Sequence, residues 1–227
     1  MLVIWRVKYW RLPIKLCMKR LWLTAQRTLK RLPLRIVESK TPSEDSEITQ
    51  DLDKATQIIR AGGVVAHATE GVWGLACRPD RHAAIEKSLK IKGRDDGKGF
   101  LLLGSNVNHF MDHINQLEPS LVKKVTESWP GHITWVLPNT DFSAFVTGGR
   151  STVACRVPDH NQARELCGKF GGPIVSTSLN RSGQAPVISY EKAAAEFSDE
   201  VDFILPGQIS GYDGPSAIYG LDGVRLR

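Results

Sequence analysis

Apolar positions in this chain switch repeatedly between a helical and an alternating period. Leu52, Ala55, Ile58 and Ile59 fall three and four residues apart, as on one face of a helix, and Gly62-Gly63 stops it. The run VVAHATEGVWGLAC that follows is broken at Glu70-Gly71, which predicts two strands joined by a sharp turn. Residues 81–91 read as a helix ending in the basic stretch Lys90–Arg94, and GFLLLG as a short buried strand. A helix over 118–128 runs into Trp129-Pro130-Gly131, a chain-breaking corner. ITWVLP and TVACRVP read as strands, and 160–170 as a helix stopped by Gly171-Gly172-Pro173. IVSTSL is a strand leading into the polar loop NRSGQAP. A helix over 190–197, a strand at FILPG and two closing strands at SAIYGL and VRLR complete the series. Helices and strands interleave without strict βαβ regularity. The pattern therefore predicts one α/β domain over 48–227, a twisted mixed sheet with flanking helices.

The 227 residues suffice for one such domain with a sizeable core. No run reaches the roughly 18 uncharged apolar residues of a membrane helix, so no membrane partner is expected. The net charge of +6 is unevenly placed. Residues 1–37 hold ten of the 30 basic side chains and no acidic one, which leaves 20 basic against 24 acidic groups, a net of −4, in 38–227. The body thus lacks the overall charge of a nucleic-acid binder. Three readings of the basic tail stay open: a translated upstream stretch with the true start near Met18 or later, an organelle-targeting segment, or a basic arm for RNA or anionic lipid. Residues 38–48, polar and acidic, read as a linker, so 1–47 is expected to be extension and linker. Cys17, Cys77, Cys155 and Cys167 form no CxxC pair and have no zinc-ligand spacing. Reduced thiols in a cytoplasmic protein are the simplest expectation.

Neither a P-loop nor a GxGxxG fingerprint is present, and no Ser-His-Asp, HExxH or Cys-His arrangement stands out. Four segments could carry chemistry. In KIKGRDDGKGF, Lys92, Arg94 and Lys98 lie within seven residues, among glycines that let the backbone approach a ligand. Such cations suit polyphosphate, while a solvated loop neutralised by Asp95 and Asp96 is the bland alternative. Ser176, Ser178 and Asn180 sit at the carboxyl end of a buried strand, where open α/β sheets bind ligands. The same residues would also make an ordinary polar turn. Thr69 and Glu70 occupy the turn in HATEGVWG, which otherwise reads as a plain hairpin, and His67 reads as structural rather than a ligand. Arg156 lies inside an apolar strand and needs a partner, either a structural carboxylate such as Asp159 or a substrate anion. Thr134, Thr152, Ser216, Arg225 and Arg227 are ambiguous by themselves.

Taken in chain order, these pieces resemble one family. HATEGVWGLACRP is similar to a "PTE…(Y/F)G(L/V)" segment, and Lys92-Gly93-Arg94 to a KxR motif. SWPGHIT resembles "WPGP(I/L/V)T", TVACRVPDH resembles "(T/S)(V/L)A(V/L)R(V/M)PDH", and IVSTSLNRSG resembles "(V/I)xSxSANxSG" with its SxN motif. PSAI resembles "PS(T/E)I". Each motif alone is weak, but six in order over roughly 50–227 identify the chain with the YrdC/TsaC family of threonylcarbamoyl-AMP synthases, in its short bacterial form. The resemblance implies a concave basic cavity on the sheet. It also implies synthesis of threonylcarbamoyl-AMP and pyrophosphate from L-threonine, bicarbonate or CO2, and ATP, with Mg2+ expected on the phosphates. Lys92, Arg94, Ser178 and Asn180 match the catalytic KxR/SxN tetrad. ATP would also meet Lys98, Thr152 and Arg227 (or Arg225), and threonine would meet Thr69, Arg156, Ser176 and Ser216. The product would pass to a threonylcarbamoyl-transfer complex that modifies ANN-decoding tRNAs. The chain departs from the pattern at His67-Ala68, at Gly71 and at Leu179. Three alternatives are carried along: an RNA-binding or ribosome-maturation factor using the same cavity, a paralogue with another carboxylate or acyl substrate, and a carbamoyltransferase-like activity. The last is disfavoured because zinc-type cysteine pairs are absent.

Overall fold

Strand side chains alternate between faces, and in this protein the two faces of one sheet differ in kind. The computed structural model describes residues 44–94 and 96–227. The expectations for 1–37 and Cys17 lie outside the described residues. Eight strands form one sheet: β1 Val65–Ala68, β2 Trp73–Cys77, β3 Leu101–Leu103, β4 Ile133–Pro138, β5 Thr152–Arg156, β6 Ile174–Ser178, β7 Phe203–Ile204 and β8 Ala217–Tyr219. Their order is β7-β1-β2-β6-β3-β5-β4-β8. The β1–β7, β3–β5 and β4–β8 pairs are parallel and the others antiparallel, so the sheet is mixed, as the irregular interleaving predicts. The longer helices are α1 Glu44–Ala61, α2 His82–Lys92, α3 Pro119–Glu127, α4 Asn161–Phe170 and α5 Tyr190–Phe197.

One face is sealed. Trp73, Leu75, Leu102, Trp135, Leu137, Val153, Cys155 and Val175 pack there against Ile85 and Ile91 of α2, Val125 of α3 and Phe197 of α5. On the second face, Leu52, Ala55 and Ile59 of α1 and Leu166 and Cys167 of α4 cover Val65, Ala76, Leu103 and Ile174. This smaller core reaches β1, β2, β3, β6 and, through Phe203, β7, and none of its residues lies on β4 or β5. Over β4 and β5 the same face carries Thr134, Ala154 and Arg156, which line a cavity.

Local signals account for most boundaries. Gly93 closes α2 in the left-handed region, at φ +56°, with its N–H on the Lys90 carbonyl. His160 caps α4 by accepting the Ala163 N–H, and Ser189 caps α5 by accepting the Lys192 N–H. Two expectations change. The helix α1 begins at Glu44, inside the stretch expected to be linker. An acidic stretch looks like linker by composition, yet negative charge in a first turn favours a helix through its dipole. VRLR is no strand: it makes one isolated bridge, Tyr219 to Arg225, and its apolar side chains Val224 and Leu226 are exposed. The three described cysteines are free and buried, as expected.

The sealed face is the main source of stability. Leu102→Ala, in the middle of the sheet and fully buried, is expected to cost about 3 kcal/mol. Urea denaturation should show a lower midpoint at unchanged slope.

Candidate active site

The cavity on the open face holds about 280 Å³. It is built by strand alternation: Ser176 and Ser178 from β6, Ala154 and Arg156 from β5, Thr134 from β4 and Gly74 from β2 all project to this side. Three loops complete it, bringing Thr69 after β1, Arg94 and Lys98 after α2, and Ser216 with Arg227 near the chain end.

Arg94, Lys98 and Arg227 line the wall. Arg94 donates to the Gly99 carbonyl at 2.6 Å and lies over the Phe100 ring, 5.7 Å from its centroid. Burial, followed by the neighbouring Arg150, lowers its pKa, but a guanidinium stays charged at neutral pH. Arg227 donates to the Ser216 carbonyl at 3.1 Å.

Lys92 has a different position. Its Nζ donates to the Ser178 carbonyl at 2.5 Å and to Asn180 Oδ1 at 2.7 Å, and Ser178 Oγ donates to the same Oδ1 at 2.8 Å. The Lys92 carbonyl also accepts the Ser182 N–H at 2.7 Å. Of the tetrad expected from sequence, Arg94 and Ser178 line the cavity, whereas Lys92 and Asn180 stand behind Ser178 and hold it. Burial, then the charge of Arg94, lowers the Lys92 pKa to about 8.

Thr69, Arg156, Ser176 and Ser216 also line the cavity. Thr69 Oγ1 donates to the Val72 carbonyl at 2.7 Å, fixing the β1–β2 turn. Thr134 and Ser216 share a hydroxyl–hydroxyl hydrogen bond of 2.8 Å. Thr152 shares the β5 face of Ala154 and Arg156 but lies outside the cavity lining. Arg225 does not line the cavity, so Arg227 is the closing arginine in place. His67 is fully buried, with Nδ1 on the Ala68 carbonyl at 3.0 Å. Burial, then His160, lowers its pKa to about 4, so it is neutral, consistent with a structural role.

The partner of Arg156 is Glu70, not the carboxylate of Asp159. The Glu70 side chain is 0% exposed; it accepts a hydrogen bond from the Arg156 guanidinium and another from the Asp159 backbone N–H at 2.8 Å. Burial, then Arg227, lowers the Arg156 pKa to about 9, which leaves it charged at neutral pH. Sequence reasoning placed Glu70 at the turn but gave it no role. The signal was there: two opposite charges, each inside an apolar run, need each other once both are buried.

Fold and cavity together define a cleft on a mixed α/β sheet, with Arg94, Lys98, Arg156 and Arg227 in its lining. A family model named for Sua5, YciO and YrdC, described as "Telomere recombination", matches residues 57–226. A threonylcarbamoyl-AMP synthase of Nitrosococcus oceani is 41% identical over 175 residues, covering 76% of this chain and 95% of that protein. One from Halorhodospira halophila is 39% identical over 171 residues, covering 74% and 90%. The structure of P. abyssi Sua5 complexed with L-threonine superposes with a TM-score of 0.73 at 27% identity, over 78% of this chain. This chain spans only 53% of that longer protein. E. coli YciO superposes with a TM-score of 0.69 at 25% identity, covering 78% of this chain and 88% of YciO. This chain belongs to the Sua5/YciO/YrdC family.

Removing one partner of the buried pair strands the other charge. Glu70→Gln is expected to lower stability by about 3 kcal/mol. The double variant Glu70→Leu, Arg156→Met should recover most of that loss in chemical denaturation. Equal losses in the single and double variants would contradict the pairing.

Proposed function

We propose that the chain is a threonylcarbamoyl-AMP synthase, making threonylcarbamoyl-AMP and pyrophosphate from L-threonine, bicarbonate or CO2, and ATP. Its named relatives support this over nearly their whole length. The observation that carries it is one cavity lined by two unlike groups of residues. Arg94 and Lys98 offer cations fit for a triphosphate, with Arg227 as a further cation beside Ser216, while Arg156, Thr69, Ser176 and Ser216 offer a carboxylate receptor set among hydroxyls. That assignment gives the cavity the basic, concave character expected from sequence.

The chemistry follows from the parts. The threonine amine attacks CO2, forming a C–N bond and, after losing a proton, an N-carboxylate. A carboxylate oxygen then attacks the α-phosphorus of ATP, and pyrophosphate leaves with the electron pair of the broken P–O bond. The product is a mixed carbamic–phosphoric anhydride. Negative charge spreads over the phosphate oxygens during the second step, so Arg94, Lys98 and the Ser178 hydroxyl act by positioning and electrostatic stabilisation. The step requires no protein nucleophile, and burial raises the pKa of all three described cysteines. Among the described residues no group of three metal-ligating side chains is found. Mg2+ is assigned to the substrate, as the counter-ion that the triphosphate brings.

A mixed anhydride is hydrolytically labile and energetically primed for acyl transfer. A complex that transfers the threonylcarbamoyl group to ANN-decoding tRNA is the proposed consumer, in the cytoplasm. Among the described residues no helix is long and apolar enough to cross a membrane. Residues 44–227 are the proposed catalytic unit, with the preceding residues an extension of it.

Pyrophosphate release by the full chain should require ATP, L-threonine and bicarbonate together. Arg94→Ala and Lys98→Ala should each lower it by about 100-fold or more with the fold intact. Release that ignores threonine would point to another acyl or carboxylate substrate. A folded chain with no release, but steeply salt-dependent tRNA binding, would favour the RNA-binding alternative.

Lys92 adds a pH signature. Its ammonium is present below about pH 8 and is lost as pH rises through that value. Calorimetry should show ATP affinity falling between about pH 7 and pH 9.5 in the native chain and much less in Lys92→Arg, whose charge persists.

A further inference from the structure

Gly71 stands at the β1–β2 turn, between Glu70 and the strand that begins at Trp73. A Cβ built on it would lie 2.1 Å from the Gly214 carbonyl oxygen and 2.7 Å from that of Tyr212. Its φ is not among the positive values, so close approach, not backbone conformation, is what requires glycine here.

The approaching carbonyls belong to a segment pinned at several points. The Gln208 carbonyl lies 2.8 Å from His160 Nε2, and the Ser210 N–H donates to the Glu70 carbonyl at 2.8 Å. The Tyr212 ring stacks on His132 at 4.8 Å, and its hydroxyl donates to Asp159 Oδ2 at 3.4 Å. Immediately after the Gly71 contact, Pro215 and Ser216 form part of the cavity wall, with Ser216 tied to Thr134. On the other side of the contact, Thr69 lines the same cavity and Glu70 holds Arg156. One backbone-to-backbone approach therefore fixes the distance between two walls of the end assigned to the amino acid.

We propose that Pro215 and Ser216, held in place by residues 208–214, form the wall that limits how large an amino acid the cavity accepts, and that Gly71 is a specificity-determining residue because it fixes where that wall stands. The inference rests on the synthase reading and names what sets its amino-acid selectivity. A methyl group at position 71 has rigid backbone oxygens on its path and no flexible side chain to displace. The wall must retreat, and the hydroxyls of Ser216 and Thr69 move apart.

The test is Gly71→Ala in the full chain, with pyrophosphate release measured against L-threonine, ATP and L-3-hydroxynorvaline, one carbon longer than threonine. The KM for threonine should rise about tenfold and that for ATP by no more than about twofold, and the preference for threonine over the longer analogue should fall about tenfold. Amide exchange at Ser210 should accelerate by about tenfold, a readout that needs no turnover. A merely destabilised protein would lose active fraction without separating the two KM values. If Gly71→Ala does not fold, Tyr212→Ala decides. That side chain is 43% exposed, and its removal releases the wall without inserting an atom. It should shift the same quantities in the same direction, by about threefold. A folded variant with unchanged threonine KM, unchanged preference and unchanged Ser210 exchange overturns the proposal. Wild-type chain that releases no pyrophosphate with threonine overturns the synthase reading instead, and Ser210 exchange then still decides whether Gly71 sets the wall.

Discussion

A β-sheet presents two faces, and in this protein the described helices cover only one of them completely. That constraint organises the molecule. Trp73, Leu75, Leu102, Trp135 and Val175 bury the sealed face against three helices. Because neighbouring residues on a strand point opposite ways, each residue committed to the core sends its neighbours to the second face. There α1 and α4 cover β1, β2, β3 and β6 with a smaller apolar layer. Beyond that layer the outward residues are Ser176, Ser178, Thr134 and Arg156. The cavity is thus the part of the sheet that the helices leave uncovered, and its floor is as rigid as the core directly beneath it. Rigidity matters because groups that stabilise transition-state charge work best when they need not reorganise.

The buried Glu70–Arg156 pair then sets the electrostatics of that floor. An unpaired guanidinium at this depth would carry a large desolvation penalty. Glu70 offsets it from behind, while the guanidinium remains part of the cavity lining. Its Nε is buried without a protein partner. The Arg156 charge is therefore balanced within the protein. The same cavity also holds Arg94, Lys98 and Arg227, the last of them beside Ser216. Arg94 and Arg227 both have pKa values lowered by burial. Cations whose burial lowers their pKa favour a ligand that brings negative charge.

Most elements were legible because they combine a clear period with a clear stop. ITWVLP and the helix over 190–197 match the structure residue for residue. Gly93 and Gly171 end helices where sequence reasoning placed the breaks. The misses share a physical origin. The stretch before Ile48 is polar enough to look like linker, and only helix-dipole reasoning separates an acidic first turn from a solvated one. VRLR has strand composition but falls at the edge of the sheet, where it makes one isolated bridge and a few backbone hydrogen bonds to β8 without a continuous ladder. Eight expected site residues, Thr69, Arg94, Lys98, Arg156, Ser176, Ser178, Ser216 and Arg227, line one cavity. Spacing in sequence could not tell wall from support. Thr152 points to the same face yet stays outside the lining, and Lys92 and Asn180 lie one layer back. Those distinctions depend on tertiary depth, which no local pattern carries.

Lys92 shows why the second layer matters. A lysine this buried stays protonated at neutral pH only if oxygen acceptors surround the ammonium, and it has the Ser178 carbonyl and Asn180 Oδ1 within 2.7 Å. Those contacts bind the end of β6 to the end of α2, the two elements that present Ser178 and Arg94. Asn180 Nδ2 in turn donates to the Arg181 and Gln184 carbonyls, so the loop beyond Ser178 is held by the same side chain. Arg94 and Ser178 reach the cavity from separate segments, and a single buried charge ties those segments together. The lowered pKa of Lys92 is the cost of that arrangement, because the ammonium has left water to organise backbone. The KxR and SxN pieces therefore function as one unit: one cation and one hydroxyl face the ligand, while one cation and one amide keep them there.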